Sequence, residues 1–210
     1  MFNHVTEADL AYFKELLPGR VFSGEDISTD YDHDEMTIYG HYMPEAVLQA
    51  LTTEDVSAVL KYCNEHSIAV TPRGAGTGLC GGCVAIHGGV VLSTEKMKKV
   101  LEVDVKNMTA TVEPGVLLME FPKALEGTGL FYPPDPGEKT ATMGGNAMTN
   151  AGGMRAVRYG VTRDYANPAA RAAASSSSIS DIACSASAIT SSEEPTAPSS
   201  IEISWSISFR

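Results

Sequence analysis

The sequence has few basic residues, few cysteines and no long apolar run, and each shortage excludes a class of protein. Its 15 Lys and Arg residues stand against 26 Asp and Glu residues. This acidic balance argues against a nucleic-acid partner, because phosphate contacts need clustered cations. The four cysteines do not suggest a disulfide scaffold. No apolar run is long enough to cross a membrane, and residues 1–4 are not the basic start of a signal peptide. We therefore expect a soluble, cytoplasmic protein without a membrane span.

Hydrophobic residues make up 43% of the sequence, enough for one or two packed domains. Their spacing predicts a helix after Thr6 and a second helix capped at residues 53–55. Strands are predicted at residues 46–50, 68–71, 90–93, 100–104 and 109–113, the last two as a hairpin. A helical turn is predicted at residues 95–99 and a helix from Pro114 to Leu125. Residues 46–71 are interpreted as a β-α-β unit.

Five glycines crowd residues 74–82, directly after one of these predicted strands. Glycine reaches positive φ and lets the backbone approach a ligand, so several N–H groups can converge on an anion such as phosphate. Residues 76–81 also match the dinucleotide fingerprint, but no helix is predicted to follow them, which argues against a nicotinamide site. Residues 137–140 lack the glycine spacing of a Walker A loop. A glycine-rich turn without a ligand is the alternative.

A second segment of unusual composition covers residues 131–153. Three prolines exclude a helix at its start, and paired glycines after residue 143 would let the main chain press against a flat group. Two glycine-dense loops, with Asn and Thr beside them, indicate a large ligand with polar edges. One loop would bind its phosphates and the other its ring.

Several other groups are interpreted as having no functional role. Cys80 and Cys83 have redox or metal spacing but lack a second ligand pair, so they are interpreted as small residues of the glycine loop. The acidic residues between Glu25 and Glu35 lack the pattern of a calcium loop and are predicted to form a solvated loop. No metal site is predicted, because the five histidines lack ligand spacing: His4, His33, His41, His66 and His87.

Six short motifs occur in a fixed order: PRGAGTG (residues 72–78), VEPGV (112–116), YPPDP (132–136), GGN (144–146), TNAGG (149–153) and RYG (158–160). In these motifs the chain resembles the FAD-binding, PCMH-type domain of the FAD-linked 2-hydroxyacid dehydrogenases, the family of glycolate oxidase and D-lactate dehydrogenase. The resemblance covers residues 2–165. It implies an α+β fold of two subdomains with FAD between them.

The resemblance also implies which residues bind the cofactor. Near the pyrophosphate it places Arg73, Gly74, Ala75, Gly76, Thr77 and Gly78, preceded by Pro72. Along the cofactor it places Pro134, Asp135, Gly144, Gly145 and Asn146. Beside the isoalloxazine it places Thr149, Asn150, Gly152 and Gly153, and it adds Tyr159 and Gly160 to the cofactor-binding residues. The first loop has no histidine of the kind that bonds to flavin in a related branch, so the FAD is expected to be non-covalent.

The implied reaction is the oxidation of a 2-hydroxy acid to a 2-oxo acid, with hydride passing to flavin. Lactate, glycolate and 2-hydroxyglutarate all remain possible substrates of the full-length family member. The implied electron acceptor is an electron-transferring flavoprotein or an iron–sulfur protein of the same complex. No acid–base catalyst can be assigned, because the family's catalytic residues lie in a domain that this sequence does not match. The alternative is a non-catalytic nucleotide-binding or interaction module.

The resemblance ends at residue 165, where the composition changes abruptly to serine and alanine. We expect an N-terminal helix and acidic loop at residues 1–43, a truncated FAD-binding domain at 44–165, and a disordered or frameshifted tail at 166–210. Within this tail, residues 201–209 alternate like a strand for an open sheet edge. The fold would then be incomplete at its C-terminal end. Such a chain is expected to bind FAD weakly or not at all and to be inactive alone.

Overall fold

A computed structural model describes residues 2–166 and the strand at residues 205–208. These residues form two compact units, one of residues 2–94 and the other of residues 95–166 together with Trp205–Ser208. Both units contain helices and strands, which confirms the α+β class. Among the described residues, no helix is both long enough and apolar enough to span a bilayer.

The first unit contains a four-stranded sheet. Its strands are β1 (Val21–Ser23), β2 (Ala46–Gln49), β3 (Val70–Arg73) and β4 (Val90–Ser93). Their spatial order is β1-β2-β4-β3; β4 pairs parallel with both β2 and β3, and β1 pairs antiparallel with β2. The predicted β-α-β unit is confirmed as β2, a helix and β3, but β4 lies between its two strands. This arrangement brings the carboxyl ends of β3 and β4 side by side, where the glycine loop begins.

Two helices of this unit begin with capping boxes. In α1 (Glu7–Leu16), Thr6 caps the first turn and Asp9 returns a hydrogen bond to the backbone of Thr6. In α2 (Thr53–Glu65), Thr52 and Asp55 form the same pair, so the cap lies one residue before the predicted position. Each box satisfies N–H groups that the first turn leaves without acceptors. The buried faces of α1 and α2 include Phe13, Val59 and Cys63.

The second unit contains a three-stranded antiparallel sheet. Strands β5 (Val100–Asp104) and β6 (Thr109–Val112) form the predicted hairpin. Strand β7 (Trp205–Ser208) pairs with the other edge of β6. The predicted strand in the tail is therefore confirmed at these four residues, while its remaining positions lie outside the described residues. The serine-rich segment of residues 167–200, predicted to be disordered or frameshifted, also lies outside them.

The helices of the second unit correct three predictions. They are α3 (Phe121–Ala124), α4 (Met143–Thr149) and α5 (Ala156–Tyr159). The helix predicted from Pro114 is only the four residues of α3, because the N–H groups of Gly115 and Leu118 donate to Met97 and Ala141 instead of to their own turn. Residues 95–99 contain a turn but no helix. The glycine-dense segment predicted as a loop is α4. Within residues 2–166 there are also four 3₁₀ turns: Gly24–Asp26, Thr29–Tyr31, Thr37–Tyr39 and Thr162–Asp164.

A continuous apolar core supports these elements of the second unit. It joins Val112 of β6, Phe121 of α3, Met143 of α4 and Tyr132 from the proline-rich segment. The hydroxyl of Tyr132 donates to Oγ1 of Thr162 at 3.2 Å, and burial raises the pKa of this tyrosine to about 12. The proline-rich segment is thus fixed by packing as well as by its restricted φ angles.

Candidate functional site

Arg73 ends β3 immediately before the glycine loop, and its side chain is buried. Its guanidinium donates to the carbonyl oxygens of His33 at 2.8 Å and Asp30 at 2.5 Å. The same group lies 5.4 Å from the centre of the Tyr31 ring. A guanidinium holds two carbonyls at once through its planar fork of donors. Arg73 therefore ties the segment of residues 30–33 to the start of the loop.

A second tie connects the acidic segment to the loop. The carboxylate of Asp34 accepts hydrogen bonds from the N–H groups of Gly81 at 2.7 Å and Met36 at 2.8 Å. The N–H of Glu35 donates to the carbonyl of Gly78 at 3.2 Å. Asp34 is only 2% exposed. The prediction of a solvated acidic loop is wrong at this residue, because its carboxylate is buried against backbone donors of the glycine loop.

The backbone N–H groups at the start of the glycine loop have no acceptor in the part of the chain that the structure describes. Residues 74–80 are at least partly exposed to solvent, and within the described part of the chain none of their N–H groups donates a hydrogen bond. Gly76 has φ of +76°, and a Cβ there would lie 2.1 Å from the guanidinium of Arg73. Successive N–H groups in such a loop form a concave site for an anion. The predicted residues Gly74 to Gly78 therefore lie in one loop whose N–H groups have no acceptor among the described residues, while Pro72 and Arg73 end the strand before it.

The cysteines of this loop differ in their surroundings. Sγ of Cys83 lies 3.3 Å from the Arg73 guanidinium, whereas Cys80 is exposed. Burial is the main cause that raises the pKa of the Cys83 thiol, and the charge of Arg73 opposes it. Both cysteines are free thiols. Cys83 therefore packs as a small residue against Arg73, in agreement with its interpretation from the sequence.

Helix α4 positions the GGN motif in the second unit. Oγ1 of Thr142 accepts the N–H of Gly145 at 3.1 Å and caps the helix. Gly144 packs so closely on Pro114 that a Cβ would lie 2.7 Å from the proline Cβ, and its N–H donates to the Pro114 carbonyl. The side chain of Asn146 is 3% exposed, and its Nδ2 has no hydrogen-bond partner among the described residues. A buried donor without a partner is costly and points to a group that the protein does not itself supply.

The glycines that follow α4 press against the protein itself. A Cβ on Gly153 would lie 1.6 Å from the carbonyl oxygen of Asp135, and one on Gly152 would lie 2.7 Å from Val161. Residues Pro136 and Gly153 form an isolated bridge. Close contact with backbone and side chains of this unit therefore accounts for the need for glycine at positions 144, 152 and 153. That their main chain also presses against a flat ligand stays a prediction.

The remaining predicted residues of the second unit hold its last turns together. Oγ1 of Thr149 donates to the Gly145 carbonyl at 2.9 Å, and Asn150, in the left-handed conformation, accepts the N–H of Arg163. The carbonyl of Tyr159 accepts the Tyr165 hydroxyl at 2.6 Å. Gly160 has φ of +83° and ends α5. Pro134 is buried beside Asp135 in the proline-rich segment. The predicted site residues 72–78 lie in the first unit, whereas those between residues 134 and 160 lie in the second.

Asp135 forms an ion pair with Lys139 four residues later, and Nε of Arg155 lies 3.5 Å from its other carboxylate oxygen. The hydrogen bond from the Lys139 ammonium is the main cause that lowers the pKa of Asp135. This carboxylate therefore fastens the proline-rich segment to the turn before α5. That Asp135 also contacts the cofactor stays a prediction.

Replacing Asp135 with asparagine is expected to flatten the acid limb of the stability curve. Because its folded pKa lies below the unfolded value of about 3.9, the ion pair stabilises the fold above about pH 4 and its contribution is lost as the pH falls further. The pairs are partly exposed, so the loss should be about 1 kcal/mol or less. Urea unfolding of both proteins between pH 7 and pH 3 measures it. A stability difference that does not shrink with falling pH would contradict this role.

The structure also reveals one cluster that the sequence did not predict. Nδ1 of His33 and Nδ1 of His41 both lie within hydrogen-bond distance of the same oxygen of Asp32, at 2.5 and 2.9 Å. Together these three side chains could hold a metal ion. Histidine spacing alone carries no signal for this cluster, because the carboxylate that joins the two rings lies within the acidic segment.

The glycine loop and helix α4 both lie in a stretch that matches a known protein family. A family model described as a FAD binding domain matches residues 44–168, a stretch that contains the glycine loop and every predicted motif of the second unit. The chain belongs to the FAD-binding domain family. Its predicted cofactor, FAD, and its resemblance to flavoprotein oxidoreductases are thereby confirmed.

Curated relatives of this FAD-binding domain include D-lactate dehydrogenase from Anaerostipes hadrus, which is 54% identical over 164 residues. The match covers 78% of this chain and 34% of the relative. Glycolate oxidase subunit GlcD from Bacillus subtilis (strain 168) is 47% identical over 136 residues, or 64% of this chain and 29% of the relative. The chain thus spans about a third of the length of these relatives.

A solved structure gives the same fold. An alkyldihydroxyacetonephosphate synthase matches with a TM-score of 0.69 at 20% identity, over 79% of this chain and 36% of the other. At this identity the likeness concerns the fold alone. It confirms the PCMH-type FAD-binding fold that the motifs predicted.

The described residues fit a bound FAD in each unit considered by itself. The first unit offers the free N–H groups of residues 74–80, which suit phosphate oxygens. The second unit offers Nδ2 of Asn146, a buried donor that lacks an acceptor among the described residues. FAD carries both kinds of acceptor, on its pyrophosphate and on the polar edges of its rings. The individual cofactor contacts stay a prediction.

Proposed function

We propose that this chain is the FAD-binding part of an oxidoreductase that converts a 2-hydroxy acid of the D-lactate or glycolate type to a 2-oxo acid. The names of the two similar relatives support this substrate class. Because the chain spans about a third of their length, we assign turnover to the longer protein and expect this chain alone to be inactive. An electron-transferring flavoprotein or an iron–sulfur subunit is the proposed electron acceptor.

In this proposal FAD, when bound, supplies the hydride acceptor, and the chain binds and orients it. The N–H groups of residues 74–80 bind the pyrophosphate. Arg73 and Asp34 act behind the loop, where they fix its shape through the carbonyls of residues 30 and 33 and the N–H of Gly81. Asn146 donates through Nδ2 to a polar atom of the cofactor. No side chain of the first loop is a histidine, so the FAD is held without a covalent bond.

The run of free N–H groups in residues 74–80 is the observation on which the proposal mainly rests. In other tight turns of this chain the N–H groups find acceptors: Gly40 donates to Thr37, and Gly88 donates to Ala85. In the glycine loop the donors of residues 74–80 have no acceptor within the described part of the chain, while the Asp34 carboxylate and the N–H of Glu35 hold the loop at Gly81 and Gly78. A loop that is held in this way has a smaller ordering cost when it binds its ligand.

A chimera tests the proposal. Residues 2–165 of this chain would replace the matching segment of the Anaerostipes hadrus D-lactate dehydrogenase, to which this chain is 54% identical. We expect a yellow protein that retains FAD after gel filtration and releases it on acid precipitation, as non-covalent flavin does. Anaerobic D-lactate or glycolate should bleach its visible absorbance.

Two glycine variants of the chimera separate binding from folding. Gly76→Val places a branched side chain at positive φ and against Arg73, so flavin content should fall at least tenfold. Gly82→Ala in the same loop has open space around its Cβ and should retain FAD. A colourless chimera that holds an adenine nucleotide would favour the non-catalytic alternative. A yellow chimera that no 2-hydroxy acid bleaches would show that this FAD-binding part does not support the oxidation of a 2-hydroxy acid, and would leave FAD binding intact.

A further inference from the structure

The first unit contains a second polar cluster, formed by Asp32, His33 and His41. Nδ1 of His33 lies 2.5 Å and Nδ1 of His41 lies 2.9 Å from the same oxygen, Oδ1 of Asp32. The centres of the two rings are 5.0 Å apart. One ligand atom from each of the three residues can be chosen so that all three lie within 4.8 Å of one another. Nothing in the proposed FAD site uses these side chains.

The backbone that carries the cluster is fixed on both sides. The N–H of Tyr42 donates to the carbonyl of Asp32 at 2.7 Å, which brings His41 next to Asp32 across nine residues. On the other side, the buried guanidinium of Arg73 holds the carbonyls of Asp30 and His33. The three side chains are therefore brought together by contacts of their own backbone and do not depend on their mutual hydrogen bonds.

The exposure of the three side chains leaves room for solvent. The side chain of Asp32 is 16% exposed, that of His33 34% and that of His41 59%. Solvent can thus reach the point between the rings and complete the coordination of an ion. The carboxylates of Asp30 and Asp34 belong to the same acidic segment, so the surroundings are rich in negative charge despite the nearby Arg73.

Two imidazoles and one carboxylate are a ligand set for zinc and other first-row divalent cations, whereas calcium and magnesium prefer oxygen ligands alone. Zinc bonds of about 2.0–2.2 Å in a tetrahedron place neighbouring ligand atoms about 3.4 Å apart. The distances from Nδ1 of each ring to Oδ1 of Asp32 would lengthen by less than about 1 Å to admit the ion. Each neutral ring would then carry its proton on Nε2 while Nδ1 binds the metal.

We propose that Asp32, His33 and His41 form a zinc site with one carboxylate ligand, two imidazole ligands and solvent in the fourth position. The ion replaces the two hydrogen bonds to Asp32 and ties His41 to the segment that also carries Asp34. It therefore stabilises the acidic segment against which the glycine loop packs. The site is independent of the proposed oxidoreductase function, because none of its ligands contacts FAD in that proposal.

Zinc binding to the full chain, stripped of metal with EDTA, tests the proposal. Calorimetric titration with zinc chloride, and metal analysis after dialysis, should give one zinc per chain. His33→Gln and His41→Gln should each weaken binding at least tenfold. Two controls should bind as the unchanged chain does: His87→Gln, which removes an exposed histidine outside the cluster, and a variant with Ser in place of Cys80, Cys83 and Cys184.

The outcomes are separable. His41 is exposed, so its variant should keep the circular dichroism spectrum of the unchanged chain, and a loss of zinc there reports on the ligand alone. Absence of stoichiometric zinc in the unchanged chain would overturn the site. If both histidine variants bind zinc as tightly as the unchanged chain does, the ion is held by other residues. Loss of zinc binding in the cysteine variant would lead to the same conclusion. None of these results depends on whether the chain binds FAD.

Discussion

Replacing Gly153 with alanine is expected to destabilise the second unit by about 3 kcal/mol or more. Its Cβ would lie 1.6 Å from the carbonyl oxygen of Asp135 and 2.4 Å from the carbonyl carbon. Both atoms belong to the backbone, so no rotamer change can relieve the overlap, and the bridge between Pro136 and Gly153 must open. Opening it separates the proline-rich segment from the residues that follow α4.

Gly137→Ala is the matched control, because its φ is not positive and a Cβ there meets nothing within 4 Å. Urea unfolding gives the stability of each protein, and amide exchange shows which unit is affected. Protection should be lost around residues 132–153 in the Gly153 variant and kept in the control. Equal stability of the two variants would contradict the close backbone contact at Gly153.

The second large effect is expected from Arg73→Met, which should cost about 3–5 kcal/mol of stability in the first unit. Methionine fills much of the buried space but cannot donate to the carbonyls of Asp30 and His33, which then lose their partner. The substitution also removes the guanidinium against which Gly76 packs. The glycine loop should become mobile, and FAD affinity should fall at least tenfold in the chimera with the Anaerostipes hadrus enzyme.

Arg163→Met is the control for this change, since its side chain is largely exposed and only weakly paired with Asp164. The free energy of unfolding of this variant should lie within about 0.5 kcal/mol of that of the unchanged protein. Arg73→Lys should lie between the two, because one ammonium cannot reproduce the planar fork that serves both carbonyls. Retention of full stability in Arg73→Met would show that these two hydrogen bonds contribute little to the fold.

The parts of the fold that sequence could predict are those governed by local rules. The run from Val90 to Ser93 forms a buried strand with the predicted bounds, because four apolar or small residues follow two glycines. Thr6 and Asp9 stand at the spacing of a capping box, and α1 begins where they predict. The hairpin of β5 and β6 follows from alternation on either side of a polar turn.

Tertiary contacts overrode those rules elsewhere. Glycines at 144 and 145 predict a loop, but the Thr142 cap and the close approach to Pro114 hold them in α4. The composition of the acidic segment predicts solvation, yet Asp34 is buried because the N–H of Gly81 needs an acceptor. In each case one partner lies far away in sequence, Pro114 for Gly144 and Gly81 for Asp34, and no local pattern reveals it.

The sequence predicted the first glycine loop of the candidate site but not the contacts that individual side chains make. The glycine density of residues 74–82 correctly indicated a loop that follows β3. The guanidinium of Arg73 holds backbone carbonyls within the first unit, contacts that the sequence did not reveal. Its place near a pyrophosphate stays a prediction. Asn146 is the residue whose amide lacks an acceptor among the described residues, and the motif in which it lies had marked it.

The position of β4 between β2 and β3 has a consequence for how the nascent chain folds. Among the described strands, β3 hydrogen-bonds only to β4. The two strands are separated by 16 residues, which include the glycine loop. While the ribosome has delivered only the first 80 residues, β3 has no neighbouring strand and its backbone groups stay hydrated. Pairing of β3 therefore requires Val90–Ser93, so the sheet that frames the glycine loop cannot form before residue 93 has been synthesised.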